Sequence, residues 1–119
     1  MDKPYNITER AYLWSLEVVK ICEKLPNNPF SRVIMNQLMR SSTSVAANLV
    51  EADAGLSRKD FCKCTGIALK ECNESTLWLR YVLERQLSDT EHVSKIINES
   101  KEIAKILATI LKKARAGIK

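Results

Sequence analysis

The stretch that decides the fold is SSTSVAANLVEADAGLSRKD, residues 41–60. Its apolar positions Val45 and Leu49 are spaced as on one face of a helix, and small residues surround them. Gly55 is expected to end this helix in the left-handed conformation, and Ser57 then starts another helix at once. The stretch therefore predicts two long helices that are joined by a tight turn and lie against each other.

Three- and four-residue spacings of apolar residues continue through the rest of the chain and predict two more helices. The first runs from about Thr8 to Leu25 and ends at PNNPF, because proline cannot continue a helix. The second starts near Ser31, the third runs from Ser57 to about Arg85, and the last starts at an N-cap on Ser88. Short connections favour antiparallel neighbours, so we predict an all-α, up-down-up-down four-helix bundle that occupies residues 1–119 as a single domain.

Composition limits the possible classes of protein. Three Gly and three Pro in 119 residues are too few for the turns of a many-stranded β protein. The N-terminus has no apolar segment of signal-peptide length, and no stretch approaches the roughly 20 apolar residues of a membrane span, so a cytoplasmic protein without membrane contact is expected. The four cysteines are expected to be packed free thiols, because Cys62 and Cys64 are about 200° apart on a helix and cannot hold one metal ion.

Polar side chains on the second and third helices suggest a buried network. Asn48 and Glu51 share one side of their helix at the edge of the apolar stripe, where an unpaired amide or carboxylate is costly. Arg40, Lys70 and also Arg80 are candidate partners, and Lys70 can pair with Glu74 one turn later. The predicted structural polar network comprises Arg40, Asn48, Glu51, Lys70 and Glu74. Asn48→Ala or Glu51→Ala is then expected to lower stability or alter assembly by about 1–3 kcal/mol.

Two broad apolar surfaces suggest self-association. Trp14 stands beside Leu13 and Leu16 on the first helix, and Trp78 stands beside Leu79 on the third. Each pair widens the apolar surface beyond one stripe, and monomers rarely expose large contiguous apolar patches. A homo-oligomer is therefore expected.

Catalytic chemistry has little support in the sequence. A di-metal carboxylate bundle needs a Glu-x-x-His motif on each of two helices, whereas the only histidine is His92. The carboxylates Glu51, Glu71 and Glu74 are explained more simply by ion pairing than by acid-base catalysis. We expect a protein that is not an enzyme and has no catalytic residue, cofactor or metal site.

The charge of the chain is concentrated near the C-terminus. The formal net charge is +5, and residues 101–119 carry six basic residues against one acid, Glu102. Such a segment can bind phosphates in a salt-dependent way, or it can be a solvated helix end favoured by the helix dipole. The candidate nucleic-acid contacts, to RNA or DNA, are Lys105, Lys112, Lys113, Arg115 and Lys119. An unidentified protein partner is the other possibility.

One resemblance covers residues 36–83, NQLMRSSTSVAANLVEADAGLSRKDFCKCTGIALKECNESTLWLRYVL. This segment resembles the small four-helix-bundle family of proteins encoded in rRNA intervening sequences, the S23-like family. The matching positions are Gln37, Arg40, Ser44, Asn48, Glu51, Ser57, Phe61, Ala68 and Glu74. The chain has Val50-Glu51-Ala52 where the familiar pattern is Ala-Glu-Gly.

The resemblance implies a compact up-down bundle, a homopentameric ring and a biochemical role that is largely unassigned. Relatives that are accessory to diversity-generating retroelements bind nucleic acid and a reverse transcriptase, which adds to the nucleic-acid alternative. The leading interpretation is a non-catalytic, self-assembling interaction protein, and the second is a nucleic-acid-binding accessory protein that uses its basic C-terminal helix.

Overall fold

The structure is a computed structural model that describes residues 6–117. These residues form four helices, α1 (Ile7–Glu23), α2 (Pro29–Asp53), α3 (Arg58–Glu84) and α4 (Thr90–Ala116), and the described segment contains no strand. The predicted all-α four-helix bundle is therefore confirmed.

Side-chain caps set where the helices begin. The Asn6 side chain accepts hydrogen bonds from the N–H groups of Thr8 and Glu9 at 2.8 and 3.2 Å, and Ser57 accepts one from Asp60 at 3.1 Å. These bonds satisfy N–H groups that have no partner within the helix. The cap predicted at Ser57 is confirmed.

Two predicted starts are wrong by one or two residues. α2 begins at Pro29, because Asn28 caps it and proline is well tolerated in the first turn. α4 is capped by Asp89 and not by Ser88. The Asp89 carboxylate accepts a hydrogen bond from the N–H of Glu91 at 3.1 Å, which places the cap one residue later.

The predicted left-handed glycine at the end of α2 is also wrong. No described glycine has a positive φ, and the C-cap of α2 is Ala54, with φ −91° and ψ 0°. Gly55 suits the turn for another reason: a Cβ there would lie 3.2 Å from the carbonyl oxygen of Ala52, closer than an ordinary contact. The backbone approaches closely in the tight α2–α3 turn.

Each helix packs against its two neighbours around the bundle. α2 and α4 each contact both α1 and α3, so α1 and α3 lie diagonally opposite each other. The Thr8 hydroxyl donates to Asp53 at 2.8 Å, which places the start of α1 beside the end of α2. The Cys72 thiol donates to the carbonyl oxygen of Ser100 at 3.3 Å and joins the middle of α3 to α4. Neighbouring helices are antiparallel.

The core follows the stripes predicted from the sequence. The fully buried side chains include Val18, Leu38, Val45, Leu79, Ile103 and Leu107. Leu25, placed on the α1 stripe from its spacing, lies beyond the end of that helix and is only half-buried.

The serines of the opening stretch lie where α2 and α3 pack. Ser41 and Ser42 are fully buried, and the hydroxyls of Ser41 and Ser75 are 2.7 Å apart. Ser75 also donates to the carbonyl oxygen of Glu71 at 2.9 Å, so this buried polar contact uses short side chains that fit between two backbones.

Candidate functional site

A polar cluster lies on the outer side of the α2–α3 contact. Arg40 donates to Glu71 at 2.8 Å, and a second nitrogen of its guanidinium contacts Glu74. The indole N–H of Trp78 donates to the same carboxylate oxygen of Glu74 at 3.0 Å, and Gln37 accepts from Arg40 at 3.2 Å. Two carboxylates are thus held by one guanidinium and one indole.

This cluster contains two of the five residues of the predicted network, Arg40 and Glu74. Asn48 instead donates to the backbone oxygen and hydroxyl of Ser44 on its own helix, at 2.8 and 3.0 Å. Glu51 is exposed, and among residues 6–117 its carboxylate accepts a hydrogen bond only from the Cys64 thiol, at 4.0 Å. Lys70 is exposed and makes no ion pair among residues 6–117. Asn48 and Glu51 lie about two and three turns beyond Arg40 along α2, which is too far for contact with its guanidinium.

The Arg10–Glu99 ion pair joins α1 to α4, is the least exposed among residues 6–117, and was not predicted from the sequence. Arg10 donates to both carboxylate oxygens of Glu99, at 2.7 and 2.8 Å, and to Glu102 at 3.0 Å. Its side chain is only 11% exposed. The hydrogen bonds that Arg10 donates to Glu99 raise the pKa of Arg10 above its usual value, despite the opposing effect of burial. The partners are 89 residues apart in sequence, so no local pattern predicts the pair.

The cysteines are free thiols, of which Cys22, Cys62 and Cys72 are buried. Burial raises the pKa of both Cys22 and Cys72 to about 12, which keeps them as unreactive thiols near neutral pH. Residues 6–117 contain no group of three His, Cys, Asp or Glu side chains that could hold a metal ion. His92 is half-buried and lines a shallow hollow with Lys20, Lys24 and Glu17.

Exposed apolar side chains form two patches. The first, the α1 patch, consists of Tyr12, Leu13 and Leu16, which are 42–48% exposed on the outward side of α1. The second, the aromatic patch, joins the start of α2 to the last turns of α3 and consists of Phe30, Val33, Leu77 and Tyr81.

Ring contacts connect the aromatic patch to the neighbouring side chains of Trp78 and Arg85. The ring of Tyr81 packs edge-on against Phe30 and is stacked on Trp78, with 5.8 Å between centroids in each pair. The Arg85 guanidinium stands over the Phe30 ring at 5.9 Å. Three aromatic rings and an arginine thus form one continuous surface.

The basic residues predicted to contact nucleic acid are on the outer side of α4. Lys105, Lys112, Lys113 and Arg115 are exposed, and none of them forms an ion pair within the described chain. Lys119 lies outside the described residues. Within residues 6–117, no helix combines the length and the hydrophobicity needed to cross a bilayer.

Comparison with known proteins places the chain among relatives of unassigned role. The family model for 23S rRNA-intervening sequence proteins matches residues 3–109. A crystal structure from Bacteroides thetaiotaomicron, of a protein with unknown function from the S23 ribosomal protein family, is 34% identical in sequence and has a TM-score of 0.83. The similarity covers 90% of this chain and 99% of that chain. No functionally curated protein matches the chain.

Proposed function

Since the chain belongs to the 23S rRNA-intervening sequence protein family, whose role is unassigned, we propose that it is a non-catalytic protein that works by assembling with copies of itself. The observation that carries the proposal is the pair of exposed apolar patches. We expect the assembly to be a closed ring, and a pentamer is the size that the family resemblance implies.

The positions of the patches favour a ring over a two-fold dimer. The α1 patch lies on the outward side of α1, and the aromatic patch is built half on α2 and half on α3, the helix diagonal to α1. If the α1 patch of one copy covers the aromatic patch of the next, each copy uses two different surfaces. Such head-to-tail contacts form rings when the rotation between copies closes.

The state of the carboxylates supports a non-catalytic role. Glu71 and Glu74 accept hydrogen bonds from Arg40, and Glu74 also accepts one from Trp78. A carboxylate held in this way by charge-assisted hydrogen bonds serves to join α2 to α3. The protonated thiols of Cys22 and Cys72 suit the reducing cytoplasm, where we expect the protein to work.

Native mass spectrometry tests the assembly. The wild-type chain should give a single closed oligomer, whereas Leu13→Glu with Leu16→Glu, or Tyr81→Glu with Val33→Glu, should give monomers, because a buried unpaired carboxylate is costly. Leu56→Glu is the matched control, since Leu56 is 98% exposed and belongs to neither patch. A wild-type protein that is monomeric at micromolar concentration would contradict the proposal.

Mixing the two patch variants tests how the copies meet. Each variant keeps one intact patch, so an equal mixture should form a one-to-one heterodimer that cannot grow further. If two-fold contacts between identical patches held the assembly together, each variant would instead retain a homodimer through its intact patch, and no heterodimer would appear.

Nucleic-acid binding is a second candidate function. The observation that favours it is the set of exposed cations on the second half of α4, which follow the last acidic residue, Glu102, and form no ion pair with the described residues. Unpaired lysines on a rigid helix are available to phosphates without first breaking an ion pair.

A further inference from the structure

Two rows of lysines with identical spacing run along α3 and α4. In each row the second lysine is four residues after the first and the third is seven residues after the second, so all three lie on one side of the helix. The row on α3 is Lys59, Lys63 and Lys70, and the row on α4 is Lys101, Lys105 and Lys112. All six side chains are exposed. Each row is about 16 Å long at 1.5 Å per residue.

Antiparallel packing of α3 on α4 brings the rows side by side. The hydroxyls of Thr76 and Ser100 are 2.8 Å apart near one end of the contact. At the other end, the Arg58 guanidinium lies so close to Gly117 that a Cβ on this glycine would be 2.7 Å from a guanidinium nitrogen. These contacts place Lys63 near the level of Lys112 and Lys70 near the level of Lys105.

Most acidic residues close to the rows point to other sides of the bundle. Glu71 and Glu74 are bound by Arg40 on the α2 side of α3, and Glu102 is bound by Arg10 on the α1 side of α4. Asp60 is the exception, because it is exposed next to Lys59 and three residues before Lys63. None of the six lysines forms an ion pair with any residue in the described part of the chain. The face therefore keeps most of its positive charge.

We propose that this surface, the lysine face formed by both rows together with Arg58 and Arg115, binds the phosphate backbone of nucleic acid. The proposal rests on the second candidate function and deepens it, because half of the surface comes from α3 and was not identified from the sequence. Lysine is a point-charge donor to phosphate oxygens, and backbone contacts carry no sequence information. Binding is therefore independent of sequence.

The residues between the rows favour nucleic acid over a membrane surface. Gly66 and Ala108 occupy the positions between the second and third lysines of each row, so small side chains form the floor. A Cβ at Gly66 would meet only Leu111, at 3.9 Å, so core packing does not require a glycine there. Membrane-binding surfaces pair basic residues with large apolar ones that insert, whereas the positions between the two rows hold small residues. The exposed Ile67 lies four residues before Glu71 and thus on the α2 side of the α3 row.

The lysine face borders one contact of the proposed ring. The α1 patch is on another helix, whereas Leu77 and Tyr81 of the aromatic patch continue the same side of α3 beyond Lys70, because they are seven and eleven residues after it. Neither patch contains a residue of the lysine face. Each copy in a ring then presents its own face, and a long nucleic acid can contact several at once.

Fluorescence anisotropy with a labelled 20-base-pair RNA duplex across a salt series tests the proposal. The wild-type protein should bind with a slope of log affinity against log salt near −5, as expected for about six phosphate contacts. Replacing Lys59, Lys63 and Lys70 by Gln should reduce the slope by about 3, and replacing Lys101, Lys105 and Lys112 by Gln should do the same. Native mass and circular dichroism establish that each variant is folded and assembled.

The matched control replaces Lys20, Lys24 and Lys95 by Gln, which removes the same charge from another part of the surface. The control should keep the wild-type slope to within about 1. If the slope of the control falls by as much as the slopes of the row variants, net charge and not the lysine face drives binding, and the proposal is overturned.

Two further results separate this proposal from the function on which it rests. Loss of binding in the α4 variant alone would leave nucleic-acid binding standing and overturn the composite surface. No binding by the wild-type protein at 25 mM salt, tested also with single-stranded RNA and duplex DNA, would overturn both. Binding to phosphatidylglycerol vesicles without binding to any of these nucleic acids would identify a lipid surface instead and overturn both.

Discussion

Arg10 and Arg40 show how the contribution of a guanidinium group to stability depends on its exposure to water. Arg10 is 11% exposed and clamps two carboxylates of α4 from α1, whereas Arg40 is 49% exposed on the outside of the α2–α3 contact. Water competes strongly for the exposed group and weakly for the buried one, so equal numbers of contacts contribute unequally to stability.

Replacing these two residues should therefore have different effects. Arg10→Met should lower the free energy of unfolding by about 2 kcal/mol, because a largely buried bidentate contact is lost. Arg40→Met should lower it by less than about 1 kcal/mol, because its ion pairs are half exposed. Urea denaturation of assembled protein at one concentration measures both. Equal losses would contradict this ranking of the two clusters.

The predicted polar network shows which features of a polar cluster can be predicted from residue types and spacing. Residue types and helical spacing correctly marked Arg40 and Glu74 as polar groups on facing helices. They did not indicate that Asn48 satisfies its amide on Ser44 of its own helix, because both arrangements use the same spacing. Glu51 is exposed, so the expected loss of 1–3 kcal/mol for its replacement is now reduced to about 0.5 kcal/mol.

At the scale of the element, α3 buries polar side chains that differ in their hydrogen bonding. It packs on both α2 and α4, and its buried side includes Thr65, Cys72 and Ser75. Ser75 and Cys72 donate to carbonyl oxygens, whereas the Thr65 hydroxyl has no hydrogen-bond partner among the described atoms. An unsatisfied buried hydroxyl costs free energy.

This difference predicts opposite effects of two similar substitutions. Thr65→Val keeps the shape of the side chain and removes the unsatisfied hydroxyl, so it should raise the free energy of unfolding by about 1 kcal/mol. Ser75→Val removes the contact with Ser41 and adds volume where α2 and α3 pack tightly. This substitution should lower the free energy of unfolding by about 2 kcal/mol. Thermal unfolding followed by circular dichroism measures both, and a destabilised Thr65→Val would show that the hydroxyl has a partner in solution.

Sequence was most informative about the elements themselves. Four apolar stripes and the Ser57 cap gave the number and order of helices, because these signals are local. The start of α4 was missed because Ser88 and Asp89 are both good caps, and only the tertiary position of the helix chooses between them. The spacing of the α3 lysine row is also a local signal. The row becomes part of a larger basic surface only because α4 places a second row beside it.

At the scale of the whole molecule, the patches link folding to assembly. Four helices on their own leave Tyr12, Leu13 and Leu16 in water on one side and the aromatic patch on another. Burying these side chains between copies adds to the stability of each copy, since association favours the folded state by mass action.

The melting temperature should therefore depend on protein concentration. Dilution across a hundredfold range should lower the melting temperature of the wild-type protein, because dilution favours dissociated chains. The Leu13→Glu, Leu16→Glu variant should melt at a temperature that does not change with concentration. A wild-type melting temperature that is also constant would mean that unfolding is not coupled to assembly.

The equal spacing of the two lysine rows affects how a nucleic-acid strand can be oriented on the lysine face. Because α3 and α4 are antiparallel, a half-turn about an axis passing between Gly66 and Ala108 exchanges one row for the other. The lysine face thus has an approximate local dyad within a single chain. A nucleic-acid strand laid along it from 5′ to 3′ meets the same order of charges as one laid from 3′ to 5′. Such a surface has no intrinsic polarity, so any preferred orientation of a bound strand must come from outside these two rows.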